Sequence, residues 1–273
     1  MTVELQEHGN GIWTAPGARL IDRMGRKRLP VGDDGFTRAA AGSVVTDKTA
    51  LIADVLDSGY TATLFCRPRR FGKTLNMAMM KAFFEASPAG EADSALFEGT
   101  EIWEMGGGAY REHFAAYPVI YLNMRTAKGD TWEQTYDVLK DMLAVEVERH
   151  VYLSESIAAD PVAVALFDRM RTGAATESDY AGSLLYLARL LRAHHGKPVV
   201  LLIDEYDASV MAGYSAPDGG YYREVVTFLK RLLTGPLKDG GEVLAFACLA
   251  GVQRISKESI FSDLNNLVVS TAL

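Results

Sequence analysis

CRPRRFGKT, residues 66–74, ends like a phosphate-binding loop and begins unlike one. Gly72, Lys73 and Thr74 complete the pattern G-x-x-x-x-G-K-[ST], but Arg67 holds the place of its first glycine. The flanks of the stretch are ordered as such a loop needs. YTATLFC (60–66) reads as a strand, and LNMAMMKAFFEA (75–86) is a run of good helix formers with apolar residues at 75, 79 and 83. Gly72-Lys73-Thr74 is therefore expected at a helix N-terminus, where free N–H groups and the positive end of the helix dipole favour an anion. A left-handed Arg67 would cost about 1–2 kcal/mol, which such a site can carry. Pro68 has no N–H to donate, so the donors are those of Arg69 to Thr74. Arg69 and Arg70 read equally well as phosphate partners and as surface arginines flanking a loop.

A second stretch raises the weight of the first. KPVVLLIDEYD (197–207) has five consecutive apolar residues, Val199 to Ile203, followed by acids. An unbroken apolar run of strand length suits a strand buried on both faces in a parallel sheet, whose carboxyl end is where such sheets place ligands. Mg²⁺ beside phosphates takes hard oxygen ligands, supplied in P-loop sites by the loop Ser/Thr and by an Asp at the end of a neighbouring strand. Thr74 and Asp204 fit those two places, and Glu205 stands where it could polarise an attacking water. Alone, Asp204 and Glu205 would read as a solvated strand end or a helix cap.

The rest of the chain supplies the layers. Strand patterns recur in YPVIYLN (117–123), VLAFACLAG (243–251) and LVVSTA (267–272). Helical spacing of apolar residues appears after Asp47, a plausible N-cap, up to Gly59. It appears again at Trp132, Tyr136, Leu139, Leu143, at Tyr180, Leu184, Leu187, Leu191, and at Tyr222, Val226, Leu229, Leu233. Five strands interleaved with helices predict an α/β three-layer fold with a mainly parallel sheet. Residues 1–28, rich in Gly, Arg and Asp without a sustained period, read as a flexible leader, with the folded region starting near Leu29.

Composition limits the function classes. With 273 residues, 48% hydrophobic and 23% charged, the chain can bury a sizeable core. Its net charge of −7 disfavours direct coating of nucleic acid, which is driven by Lys and Arg neutralising phosphates. Two cysteines, Cys66 and Cys248, give neither a disulfide framework nor a zinc site and are expected as buried thiols. No signal peptide and no apolar run of about 18 residues is evident, so a cytoplasmic protein without a membrane partner is expected.

The chain resembles the bacterial AAA-ATPase-like proteins, predicted ATPases often fused to a nuclease-like domain of the PD-(D/E)XK type. The resemblance rests on LPVGDDGF (29–36), VTDKTALI (45–52), RPRRFGKTLNMAMMKAFF (67–84), YPVIYLN (117–123), LLIDEYDASV (201–210) and GVQRISKESIFSDLNNL (251–267). RPRRFGKT is that family's form of the loop, so Arg67 departs only from the general pattern. The resemblance implies a P-loop core of the additional-strand type over residues 29–273, with one strand between the loop-bearing strand and the DE-bearing strand. It implies ATP and Mg²⁺ as ligands, the former cradled by Arg69, Arg70, Phe71, Gly72, Lys73, Thr74 and Leu75. Lys73 would reach the β- and γ-phosphates, Thr74 and Asp204 would hold Mg²⁺, and Glu205 would orient the attacking water. Arg254 reads equally as an arginine sensing the γ-phosphate and as a capping or interface residue. Asp47 and Lys48 lie in a family motif of unassigned task, near base or ribose or simply at a helix cap.

Relatives of this kind commonly continue with a helical lid and the nuclease-like domain. The chain stops at Leu273, so the expectation is a fragment or an ATPase core lacking its effector. Three functions follow: an ATP hydrolase coupled to a protein partner or nuclease-like domain, a nucleotide-gated signalling module with negligible turnover, and a P-loop kinase. Glu205 beside Asp204 favours hydrolysis over transfer, and no basic lid segment of the kinase type is evident.

Overall fold

The computed structural model describes residues 6–15, 17–25, 35–86, 92–217, 220–253, 260–261 and 267–270. These fall into two compact units, residues 1–59 with 74–117, and residues 60–73 with 118–273.

In the first unit, Gln6–Glu7, Ile12–Ala15, Ala18–Ile21 and Val45–Thr46 form a four-stranded antiparallel sheet in chain order. Three of these strands lie in the stretch read as a flexible leader. At two to four residues they are too short to show a period, and their turn is built from left-handed Gly9, Asn10 and Gly11. Helix α1 (Ala50–Ser58) ends at left-handed Gly59, the stop the sequence suggests, but its N-cap position is Thr49 rather than Asp47. Helix α2 (Lys73–Phe84) carries Phe83 and Phe84 into an aromatic cluster in which Phe83 meets Phe97 and Phe114 edge-on and Phe84 meets Tyr117. Edge-to-face pairs of this kind add about 0.5–1.5 kcal/mol each beyond burial. The expected domain start at Leu29 lies outside the described residues.

The second unit holds a five-stranded, all-parallel sheet: β1 (Ala62–Cys66), β2 (Val119–Asn123), β3 (Val199–Asp204), β4 (Leu244–Gly251) and β5 (Leu267–Ser270). Their order across the sheet is β2-β3-β4-β1-β5, so β4 separates β1 from β3. Every residue of β3 is buried, as its unbroken apolar run requires of a strand with helices on both faces. Helices α3 (Trp132–Arg149), α4 (Ser183–His195), α5 (Ala208–Ser215) and α6 (Tyr222–Asp239) accompany it. Leu139, Leu143, Leu184, Leu187 and Leu191 are buried as their spacing predicts. On α6 the buried face is Val225, Phe228, Leu229 and Leu232, while Tyr222 and Val226 are only half-buried. Two apolar stripes overlap on that helix, and the sequence alone favours the wrong edge of the pair.

Register brings the strand ends level. Asn123 pairs with Asp204, Asp204 with Ala250, and Cys66 with Gly251, so the polar residues of three strands emerge along one carboxyl edge. Cys248 is fully buried within β4, whereas Cys66, at the end of β1, is half-buried. Burial expectations for the two thiols therefore hold for one of them.

Candidate functional site

β1 leads into the loop, and its pairing runs one residue further, since the Arg67 N–H donates to the Gly251 carbonyl (3.1 Å). Arg67 therefore keeps the ladder direction and is not left-handed. The left-handed residues are Arg70 (φ 70°) and Gly72 (φ 76°). The turn begins after Pro68, and the strain expected at Arg67 sits at Arg70 instead, at about 1–2 kcal/mol. Left-handed residues alternating in this way occur in backbone nests that bind anions, and strain of this size persists where a site over-determines it.

Lys73 opens α2 and is only 8% exposed. Its Nζ donates to the carbonyl oxygens of Arg67 (3.0 Å) and Pro68 (3.1 Å), folding the ammonium back over the loop. Arg69, Arg70 and Phe71 are exposed, and Gly72, Thr74 and Leu75 are half-buried. Among the described residues the Arg69 and Arg70 side chains have no ion pair or hydrogen bond.

Asp204 is fully buried. One carboxylate oxygen accepts the Glu205 N–H (3.0 Å) and the other the Asn123 side-chain amide (3.2 Å). Glu205 is left-handed (φ 51°) and half-buried, and its carboxylate has no partner among the described residues. The two residues that follow anchor this bend. Tyr206 donates its hydroxyl to the Gln253 carbonyl (2.7 Å), and Asp207, 4% exposed, accepts the N–H groups of Val252 (2.9 Å) and Gln253 (2.8 Å). Gly251 leaves no room for a side chain, since a Cβ there would stand 2.5 Å from the Tyr206 ring. An open cavity of about 450 Å³ lies against this bend, with Arg69, Lys128, Glu205 and Gln253 among its walls.

The structure thus brings Arg69 and Glu205 to one cavity and sets Asn123 beside Asp204. Arg254 lies outside the described residues. Asn123, Tyr206 and Asp207 escaped the sequence reading, although a polar residue ending YPVIYLN and the second acid of DEYD were visible signals. Asp47 is not beside a ligand. It is buried, with one oxygen accepting the Thr49 N–H and hydroxyl (3.0 and 2.7 Å) and the other the Glu101 N–H (2.8 Å). Both oxygens serve as backbone acceptors within the first unit, while Lys48 is exposed.

Asp204 offers a hard oxygen at the end of a buried strand. Mg²⁺ keeps several waters and takes one or two carboxylates plus substrate phosphates, so this donor fits a site that phosphates complete. Among the described residues no group of three or more His, Cys, Asp or Glu could hold a metal by itself.

A parallel sheet of order β2-β3-β4-β1-β5, with a G-K-T loop after β1 and D-E after β3, defines a P-loop NTPase core of the additional-strand type. The chain belongs to the family described as "Predicted AAA-ATPase", whose profile matches residues 30–261. That membership supports a nucleotide-binding ATPase as the coarse function. The chain is also similar to an "Uncharacterized protein in vnfD 5'region" of Azotobacter chroococcum mcd 1, 27% identical over 246 residues. The match covers 89% of this chain and 41% of that protein, so the chain spans less than half of its relative's length. No solved structure matches. Among the described residues no helix is long and apolar enough to cross a membrane.

Proposed function

We propose that this chain binds ATP with Mg²⁺ in the cytoplasm and hydrolyses it to ADP and phosphate, passing the change of nucleotide state to a protein partner or nuclease-like domain. The observation that carries the reading is Glu205: an unpartnered carboxylate, held left-handed directly after buried Asp204, on a cavity it shares with Arg69 of the loop. The loop N–H groups and Lys73 bind the phosphates, for which Lys73 exchanges its two carbonyl acceptors for charged oxygens, a stronger kind of hydrogen bond. Thr74 and Asp204 hold the ion, which supplies charge neutralisation on the phosphate oxygens. Glu205 orients a water and accepts its proton as the water attacks the γ-phosphorus. Arg254 serves the γ-phosphate as a sensor.

The two acids separate experimentally. Asp204→Asn should weaken Mg²⁺-dependent ATP binding, because the carboxylate charge offsets the ion's lost hydration. Glu205→Gln should bind Mg·ATP nearly as wild type and lower turnover by roughly 10²–10⁴-fold, the loss of a base used only in the transition state. Equilibrium titration and single-turnover phosphate release on both variants measure this. Wild-type hydrolysis by E205Q would remove Glu205 from the reaction.

A further inference from the structure

The cavity beside Glu205 is larger than an attacking water needs. At about 450 Å³ it falls within the range of roughly 300–1,000 Å³ typical of small-molecule sites. Two cations on separate segments, Arg69 and Lys128, line it, and neither has a counter-ion among the described residues. Asp207, also on its wall, cannot neutralise them cheaply, since its carboxylate already accepts the N–H groups of Val252 and Gln253. The floor is one face of α5: Ala208, Met211 and Ala212, at helical spacings of three and four, offer a low apolar surface with one adaptable side chain.

We propose that this cavity binds a second ligand besides the nucleotide, a phosphate monoester carrying a small, flat apolar body. A phosphate monoester bears about −1.5 to −2 charges at pH 7, enough for both cations, which a single carboxylate is not. The guanidinium of Arg69 matches a phosphate bidentately, while Lys128 meets it as a point charge. The apolar body covers Met211 and the two alanines, whose size admits a ring. Such a ligand would stand next to Glu205 and therefore govern the water that Glu205 serves. The proposal rests on the cavity itself, and on the ATPase reading only for this last consequence.

The test uses phenyl phosphate titrated calorimetrically into the chain saturated with Mg·ADP. One molecule should bind per chain, benzyl alcohol should not bind, and Lys128→Met should weaken phenyl phosphate by about tenfold or more. Ala212→Phe, which fills the floor, should abolish binding, whereas Lys73→Ala should leave it within about twofold. Equal affinity in wild type, K128M and A212F would overturn the proposal, as would phenyl phosphate that binds only by displacing ADP. If ADP itself does not bind, the nucleotide reading fails separately, and the same titration without ADP still judges the cavity through K128M and A212F.

Discussion

Asp207 illustrates what a single side chain does that a motif does not tell. In the sequence the second acid of DEYD reads as part of the metal and water motif. In the fold its carboxylate is spent on two peptide N–H groups of the strand next door, because β4 lies between β1 and β3 and its exit passes over the bend at Glu205. Removing a charged acceptor from buried N–H groups costs roughly 1.5–3 kcal/mol. Asp207→Ala should lower the urea midpoint by that much and reduce turnover, since Glu205 and Gln253 lose a shared support. Asp207→Asn, which keeps one acceptor oxygen, should recover part of both. Gly251→Ala presses on the Tyr206 ring from the other side and should cost about 1–3 kcal/mol by overpacking. Wild-type stability in D207A would show that the two N–H groups find water without loss.

At the scale of elements, the C-terminal ends of α3 and α4 converge on Tyr152. Its hydroxyl lies 3.1 Å from His150 Nδ1 and 3.0 Å from His195 Nε2, donating to one ring and accepting from the other. His194, stacked edge-on against His195, is engaged by Ser156 (2.6 Å), and Glu146 faces His150 at 3.4 Å. Burial, then the proximity of His194 and His150, holds the His195 imidazole below its ordinary value of 6.5. A base whose folded pKa is depressed stabilises the fold while neutral, so this contribution is present above pH 6.5 and fades as pH falls towards the folded value. Glu146 opposes this only at lower pH. Burial raises its carboxyl, but hydrogen bonds from His150 and Arg149 outweigh that and leave it below 4.5, so its stabilisation is lost only in acid. The urea midpoint should therefore drop between pH 7.5 and 5.5, and the drop should shrink in His195→Gln. An equal drop in both proteins would assign the titration elsewhere.

For the whole molecule, legibility followed burial. The unbroken run Val199–Ile203 could only be a doubly covered strand, and it fixed the parallel sheet. RRFGKT between a strand and a helix fixed the loop. What escaped depends on partners distant in sequence. The strands at 6–21 exist only as pairs, the helix Pro161–Arg171 was passed over despite Asp160 capping it, and Asp47 became a backbone acceptor only once Glu101 was folded against it. Arg70, not Arg67, carries the strain because β1 pairs one residue beyond its apolar run.

The loop and its ligand meet in the stability of the whole fold. A ligand that binds only the native state adds RT ln(1 + [L]/Kd), about 2.7 kcal/mol at a hundredfold excess over Kd. For a chain of this size each kcal/mol moves the melting midpoint by about 2–4 °C, so saturating Mg·ATP should raise it by roughly 5–10 °C. Lys73→Ala removes charge-assisted contacts to the phosphates worth roughly 1.5–3 kcal/mol, weakening ATP by about tenfold or more. In the absence of ATP the same substitution deletes only the ammonium's bonds to the carbonyls of Arg67 and Pro68, so the apo midpoint should change little. The two effects read differently in a pair of melts. A lost ATP shift with an intact apo midpoint assigns Lys73 to the nucleotide. A lowered apo midpoint with an undiminished ATP shift would make it a strut of the loop and leave phosphate recognition to the backbone alone.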